Sequence, residues 1–158
     1  MASTSTLNLD GPPAILGALF KAKAEKKMTF EEIGKAIGRD EVWVAAAFYG
    51  QAKLTGEDIS KLSNVLGIDG ASLQSEIGDD WYPYRGLGPA VPTDPVVYRL
   101  YEGVLVYGNA IKAVIHEKFG DGIMSMIDCN ITVDKKQAEK GDRVVLTFEG
   151  KYLAYSKW

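Results

Sequence analysis

The sequence predicts a mainly α protein with a small α+β part at its C-terminal end. The first part is a helix-turn-helix-like bundle, and the second carries helical runs followed by two strands. Three observations carry this. Apolar residues recur at helical spacing between about Pro12 and Gly78, punctuated by capping residues and glycines. The stretch from Gly78 to Pro89 is dense in Gly, Pro and aromatic residues and interrupts that pattern. Beyond Asp94-Pro95 the helical spacing resumes, then gives way to alternating β-like runs.

Residues 1–10 are polar and small at their start and are expected to form a mobile tail. The bundle is expected over residues 11–78. Leu16, Leu19 and Phe20 share a helix face, with Lys21, Lys23, Lys26 and Lys27 toward solvent. Thr29 is placed to cap the next helix, with Glu32 as its capping-box partner, and that helix ends near Gly38. Asp40 can cap a helix from Glu41 to Tyr49, and Thr55 one that runs to Leu66 before Gly67. Residues 79–92 read as a linker that packs, because Trp81, Tyr82 and Tyr84 seek burial.

Residues 93–158 form the C-terminal domain. Asp94 suits the N-cap and Pro95 the first helical position. The helix runs to about Tyr107, Gly108 is expected to break or bend it, and a second helix ends at Gly120. Ile131 and Val133 alternate with polar residues as in a strand. Arg143 to Tyr152 is the second β-like run, with Glu139 to Asp142 as the turn between them. Two strands alone are marginal, which points to pairing with another chain.

Composition narrows the function. The chain has 158 residues, 46% hydrophobic and 25% charged, with a formal net charge of −3. That balance does not favour a sequence-independent grip on nucleic acid. No run is long and apolar enough to span a membrane, and no secretory leader is visible at the start. A single cysteine, Cys129, excludes an intrachain disulfide and fits a reducing, cytoplasmic setting.

The helix in the recognition position, Glu41 to Tyr49, contains no Arg, Lys, Asn or Gln to read base edges. Residues 1–78 carry eight Lys and Arg against ten Asp and Glu, the wrong sign for phosphate contacts. The bundle therefore reads as a packing or assembly module. A helix-turn-helix DNA-binding regulator with an oligomerisation domain is the alternative. His116 and Cys129 are too few for a zinc site of three or four His/Cys ligands, and no calcium loop is present. Cys129 has no basic neighbour to lower its pKa and is expected to be a buried structural thiol. Gly120-Asp121-Gly122 matches no phosphate-loop spacing and reads as a helix end and turn.

Arg99 and Glu102 are the residues that suggest chemistry. Three apart on a helix, they share a face, and their neighbours Tyr98, Leu100, Tyr101, Val104 and Leu105 are apolar or aromatic. Their helix is expected to be buried on most sides, and buried charges need partners. Ser125 adds a hydroxyl just past the glycine-flanked turn. A guanidinium, a carboxylate beside it and a hydroxyl make a site for a small anion.

At these residues the sequence resembles the cyanase family, also called cyanate hydratase or cyanate lyase. The resemblance rests on Pro92-Thr93-Asp94-Pro95, Tyr98-Arg99, Tyr101-Glu102, Val106-Tyr107-Gly108, Lys112-Ala113, His116 through Ile123, Ser125 and Gly150-Lys151-Tyr152-Leu153. It extends from the Lys21-Ala22-Lys23 helix to the C-terminus. It implies a helical N-terminal domain and a small intertwined C-terminal domain for dimerisation and catalysis. The implied reaction is bicarbonate-dependent decomposition of cyanate to ammonia and carbon dioxide through carbamate, with no metal or organic cofactor. Arg99, Glu102 and Ser125 take the catalytic positions. Arg99, Ser125, Met126 and Leu153 take the substrate-binding ones. The resemblance also implies a decamer of five dimers with active sites at subunit interfaces. Two departures stand out: the residue after the serine is usually small and here is Met126, and Gly103 costs its helix about 1 kcal/mol relative to Ala.

Overall fold

The computed structural model describes residues 12–83 and 90–158. Residues 1–10, read as a mobile tail, lie outside the described residues, as does the middle of the linker. Among the described residues there are six helices, α1 (Ile15–Glu25), α2 (Phe30–Ile37), α3 (Glu41–Phe48), α4 (Gly56–Leu66), α5 (Gly70–Ile77) and α6 (Pro95–Phe119). Two strands follow, β1 (Gly122–Lys136) and β2 (Arg143–Ala154). The chain falls into two compact units, Met1–Arg85 with Ile131–Thr147, and Gly86–Asn130 with Phe148–Trp158.

The bundle forms as its capping signals dictate. Thr29 Oγ1 accepts the Glu32 N–H while the Glu32 carboxylate accepts the Thr29 N–H, closing a capping box at α2. Thr55 and Asp58 repeat the device at α4. Gly38 ends α2 with φ +76°, a left-handed conformation that favours glycine. Asp40 occupies the cap position of α3 in extended geometry, but its side chain makes no capping bond, so only the placement follows the expectation. Helix α5 had no separate sequence assignment. Asp69 caps it by accepting the Ser72 N–H at 2.9 Å.

Leu19, Ile33, Leu62 and Leu73 are fully buried at the centre of the bundle. Phe48 receives the edges of Phe20 and Phe30 at ring separations of 5.4 and 5.3 Å. Asp58 is the one buried charge there. Arg39 grips it with Nε at 2.9 Å and the second nitrogen at 3.1 Å, and lies over the Trp43 ring. The described start of the linker is packed, as expected. Trp81 lies against the core, and the Lys53 ammonium donates to the carbonyls of Gly78, Asp79 and Trp81.

The C-terminal part corrects three expectations. Gly108 does not break the helix: α6 runs unbroken for 25 residues. A glycine costs a helix only about 1 kcal/mol, too little by itself to end one. No residue of α6 is buried, although its sequence suggested burial on most sides. The apolar pattern is real, but none of it is buried among the described residues. Finally, β1 begins at Gly122, nine residues before the alternation at Ile131, so Ser125 and Cys129 both stand inside a strand. β1 and β2 pair as a two-stranded antiparallel sheet. Lys135 and Asp142 form an ion pair at 2.6 Å near the turn.

Candidate active site

Asp94 accepts the N–H groups of Val96 and Val97 at 2.9 and 3.0 Å, and Pro95 fills the first turn. This cap fixes the start of α6, and the next turn presents Arg99 and Glu102 from one face. The Arg99 guanidinium donates to the Glu102 carboxylate at 2.8 Å. That hydrogen bond, with the charge of Glu102, holds the Arg99 guanidinium above its ordinary pKa, so it is a permanent cation. Tyr98 and Tyr101 flank the pair with ring centroids 6.3 Å apart. Within one chain the pair is open, the Arg99 side chain being 73% and that of Glu102 46% exposed.

Ser125 is set differently. It is 6% exposed on β1, and its oxygen accepts the N–H groups of Ile127 at 3.1 Å and Asp128 at 2.9 Å. Among the described residues no hydrogen bond joins it to Arg99 or Glu102. The ion pair is formed within the chain, and Ser125 is not hydrogen-bonded to it among the described residues. Met126 and Leu153 expose apolar side chains, at 57% and 43%. Neither of the two amides that hold Ser125 stood out in the sequence; a serine in a strand gives only a faint turn signal.

Other candidates resolve as follows. Cys129 is half-buried rather than buried, with its thiol directed at the Asn130 carbonyl at 3.6 Å. Most of β1 is exposed, so the strand itself does not bury it. Among the described residues no group of three or more His, Cys, Asp and Glu could hold a metal ion. A shallow groove on the hairpin, lined by Asp128, Asn130, Glu149, Gly150 and Lys151, includes none of the predicted catalytic residues. A side chain at Gly103 would meet nothing within 4 Å, so nothing in the chain explains the glycine there.

The comparisons with known proteins identify the family. Residues 89–157 match the family model described as Cyanate lyase C-terminal domain, and residues 14–75 the one described as Cyanate hydratase, N-terminal. A Cyanate hydratase of Coprinopsis cinerea is 69% identical over 140 residues, covering 89% of this chain and 93% of that protein. One from Laccaria bicolor is 61% identical over 155 residues, covering 98% and 94%. The crystal structure of cyanase from T. urticae superposes with a TM-score of 0.78 at 35% identity, covering 89% of this chain and 97% of that one. On both halves of its length, this chain belongs to the cyanate hydratase family.

Proposed function

We propose that the chain catalyses bicarbonate-dependent decomposition of cyanate to ammonia and carbon dioxide, and that Arg99, Glu102 and Ser125 carry the reaction. The observation that carries the reading is family membership over both parts of the chain. The regulator alternative finds no support. α3 has no base-reading side chain, and Arg39, just ahead of it, is committed to Asp58.

The chemistry requires such a site. Bicarbonate attacking the carbon of cyanate joins two anions into one dianion. Holding like charges together calls for preorganised positive charge away from water. Arg99 supplies it in a fork that suits a carboxylate. Glu102, bonded to that guanidinium, fixes its direction; facing the substrate, its own charge would repel. Ser125 donates to the anion. Met126 and Leu153 supply apolar walls. Loss of carbon dioxide leaves carbamate, which decays to ammonia and a second carbon dioxide without help. No step calls for a metal or an organic cofactor, and activity is expected to survive exhaustive chelation.

One chain offers one such cation, exposed, to a dianion. Symmetry-related copies would add positive charge and exclude water. Val96, Leu105, Val106 and Tyr107 on α6 are each more than 60% exposed, an apolar surface that a stable protein in water covers. A homo-oligomer with sites where chains meet, a decamer of five dimers as in the family resemblance, meets both needs. The partners are then cyanate, bicarbonate and further copies of the chain, with no nucleic acid. Among the described residues no helix is long and apolar enough to cross a membrane, and the single cysteine fits the cytoplasm.

Ammonia release with cyanate, measured with and without bicarbonate, tests the function. Release that requires bicarbonate is the expected result, and none under either condition contradicts the proposal.

A further inference from the structure

The Ser125 hydroxyl is seated from two sides of the hairpin. A serine oxygen has two lone pairs and one proton. Here the N–H groups of Ile127 and Asp128 approach it at 3.1 and 2.9 Å and occupy both lone pairs. The one remaining hydrogen-bonding capacity is the O–H. On the paired strand stands Gly150. A Cβ there would overlap the Ser125 carbonyl oxygen and the Met124 side chain. The methionine could swing aside, because its side chain is flexible. The carbonyl could move only with the Ser125 backbone, and with it the turn that holds the hydroxyl.

We propose that Gly150 and the main-chain amides of Ile127 and Asp128 are positioning groups that keep the Ser125 hydroxyl a pure hydrogen-bond donor. The inference rests on the reading of Ser125 as an anion-binding residue. It assigns that hydroxyl a ligand class: groups that only accept, such as cyanate, a carboxylate edge of bicarbonate and the dianion formed from them. It also removes two other roles. A nucleophile or a general base needs a free lone pair, and this oxygen has none.

The test is a double-mutant cycle on kcat/KM for cyanate at fixed bicarbonate, using Ser125→Ala, Gly150→Ala and both together. Each single change is expected to lower kcat/KM about 10²-fold, as for loss of an oxyanion donor. Groups that act through one another are not additive, so the double variant should fall no further than about threefold below the slower single one. A purely structural effect of Gly150→Ala would multiply with the loss of the hydroxyl instead. Gly150→Ala within about threefold of wild type, or multiplying losses, overturns the positioning role and leaves Ser125 in the site. Wild-type turnover in Ser125→Ala removes Ser125 and the inference together. Should Gly150→Ala fail to assemble in sedimentation, an ester in place of the Ile127 amide removes one donor without adding an atom. That change is expected to cost about 10-fold in the Ser125 enzyme and nothing in Ser125→Ala. No loss in the Ser125 enzyme, or an equal loss in both, overturns the inference.

Discussion

The Arg99 guanidinium and the Glu102 carboxylate are bonded at 2.8 Å across one turn of α6, and in a single chain both reach solvent. An exposed pair of this kind does little for stability, since water screens it. In the proposed mechanism its worth lies in direction, with Glu102 orienting the fork toward the anion. Arg99→Lys keeps the charge and loses the fork. The variant should keep the wild-type melting temperature and lose about 10²-fold or more in kcat/KM. Near-wild-type turnover in the folded protein would take Arg99 out of the mechanism.

Pockets built where chains meet make a second prediction. Arg99→Ala and Ser125→Ala variants, each lowered about 10²-fold or more in activity, are unfolded together, refolded and assayed. If one pocket draws its arginine and serine from different chains, some mixed pockets regain a complete set and part of the activity returns. Well-formed mixed oligomers without recovery would place both residues in one chain. A fully active monomer in sedimentation at assay concentration would contradict the shared site.

The sequence made the bundle legible because its helices are started and stopped by local chemistry. Thr29 with Glu32 and Thr55 with Asp58 close their boxes within one turn, and Gly38 and Gly67 end the same helices in the left-handed region. Asp94-Pro95 marked the start of α6 for the same reason. What failed depends on surfaces that sequence does not locate. The apolar face of α6 was read as buried, yet none of it is buried among the described residues. Gly108 was read as a break or bend, although a cost of about 1 kcal/mol does not by itself stop a helix. The start of β1 was missed because Ile123-Met124 and Met126-Ile127 do not alternate. Of the candidate site, Arg99 beside Glu102 followed from helical spacing. The seating of Ser125 did not, because it depends on two amides and on a cross-strand approach at Gly150.

A third prediction concerns acid stability. Burial pushes the Asp58 carboxyl up, but the bonds from Arg39 and Thr55 outweigh it and hold the group below its ordinary pKa. A carboxyl lowered in the folded state contributes stability above its unfolded pKa and loses it as pH falls through the folded one. That contribution is therefore complete at neutral pH and is lost progressively as pH falls below about 4. Arg39→Met leaves the buried carboxylate with only its capping bonds. It should cost about 2 kcal/mol at pH 7, less than for a fully buried pair because Arg39 is partly in water. Denaturant titrations at pH 7 and pH 3 check this, and the variant's deficit should shrink at the lower pH. An equal deficit at both would mean that the pair does not set the acid limit.

In the proposed reaction bicarbonate is a reactant, joined to cyanate in the grip of Arg99. Oxygen transfer reads this directly. Attack puts one bicarbonate oxygen on the cyanate carbon, and decarboxylation leaves it there in the carbamate. With carbon-13 cyanate and oxygen-18 bicarbonate, the carbon-13 dioxide sampled before exchange with water should carry one oxygen-18 per molecule. Carbon-13 dioxide whose second oxygen comes from water would contradict the account, because water and not bicarbonate would then be the nucleophile.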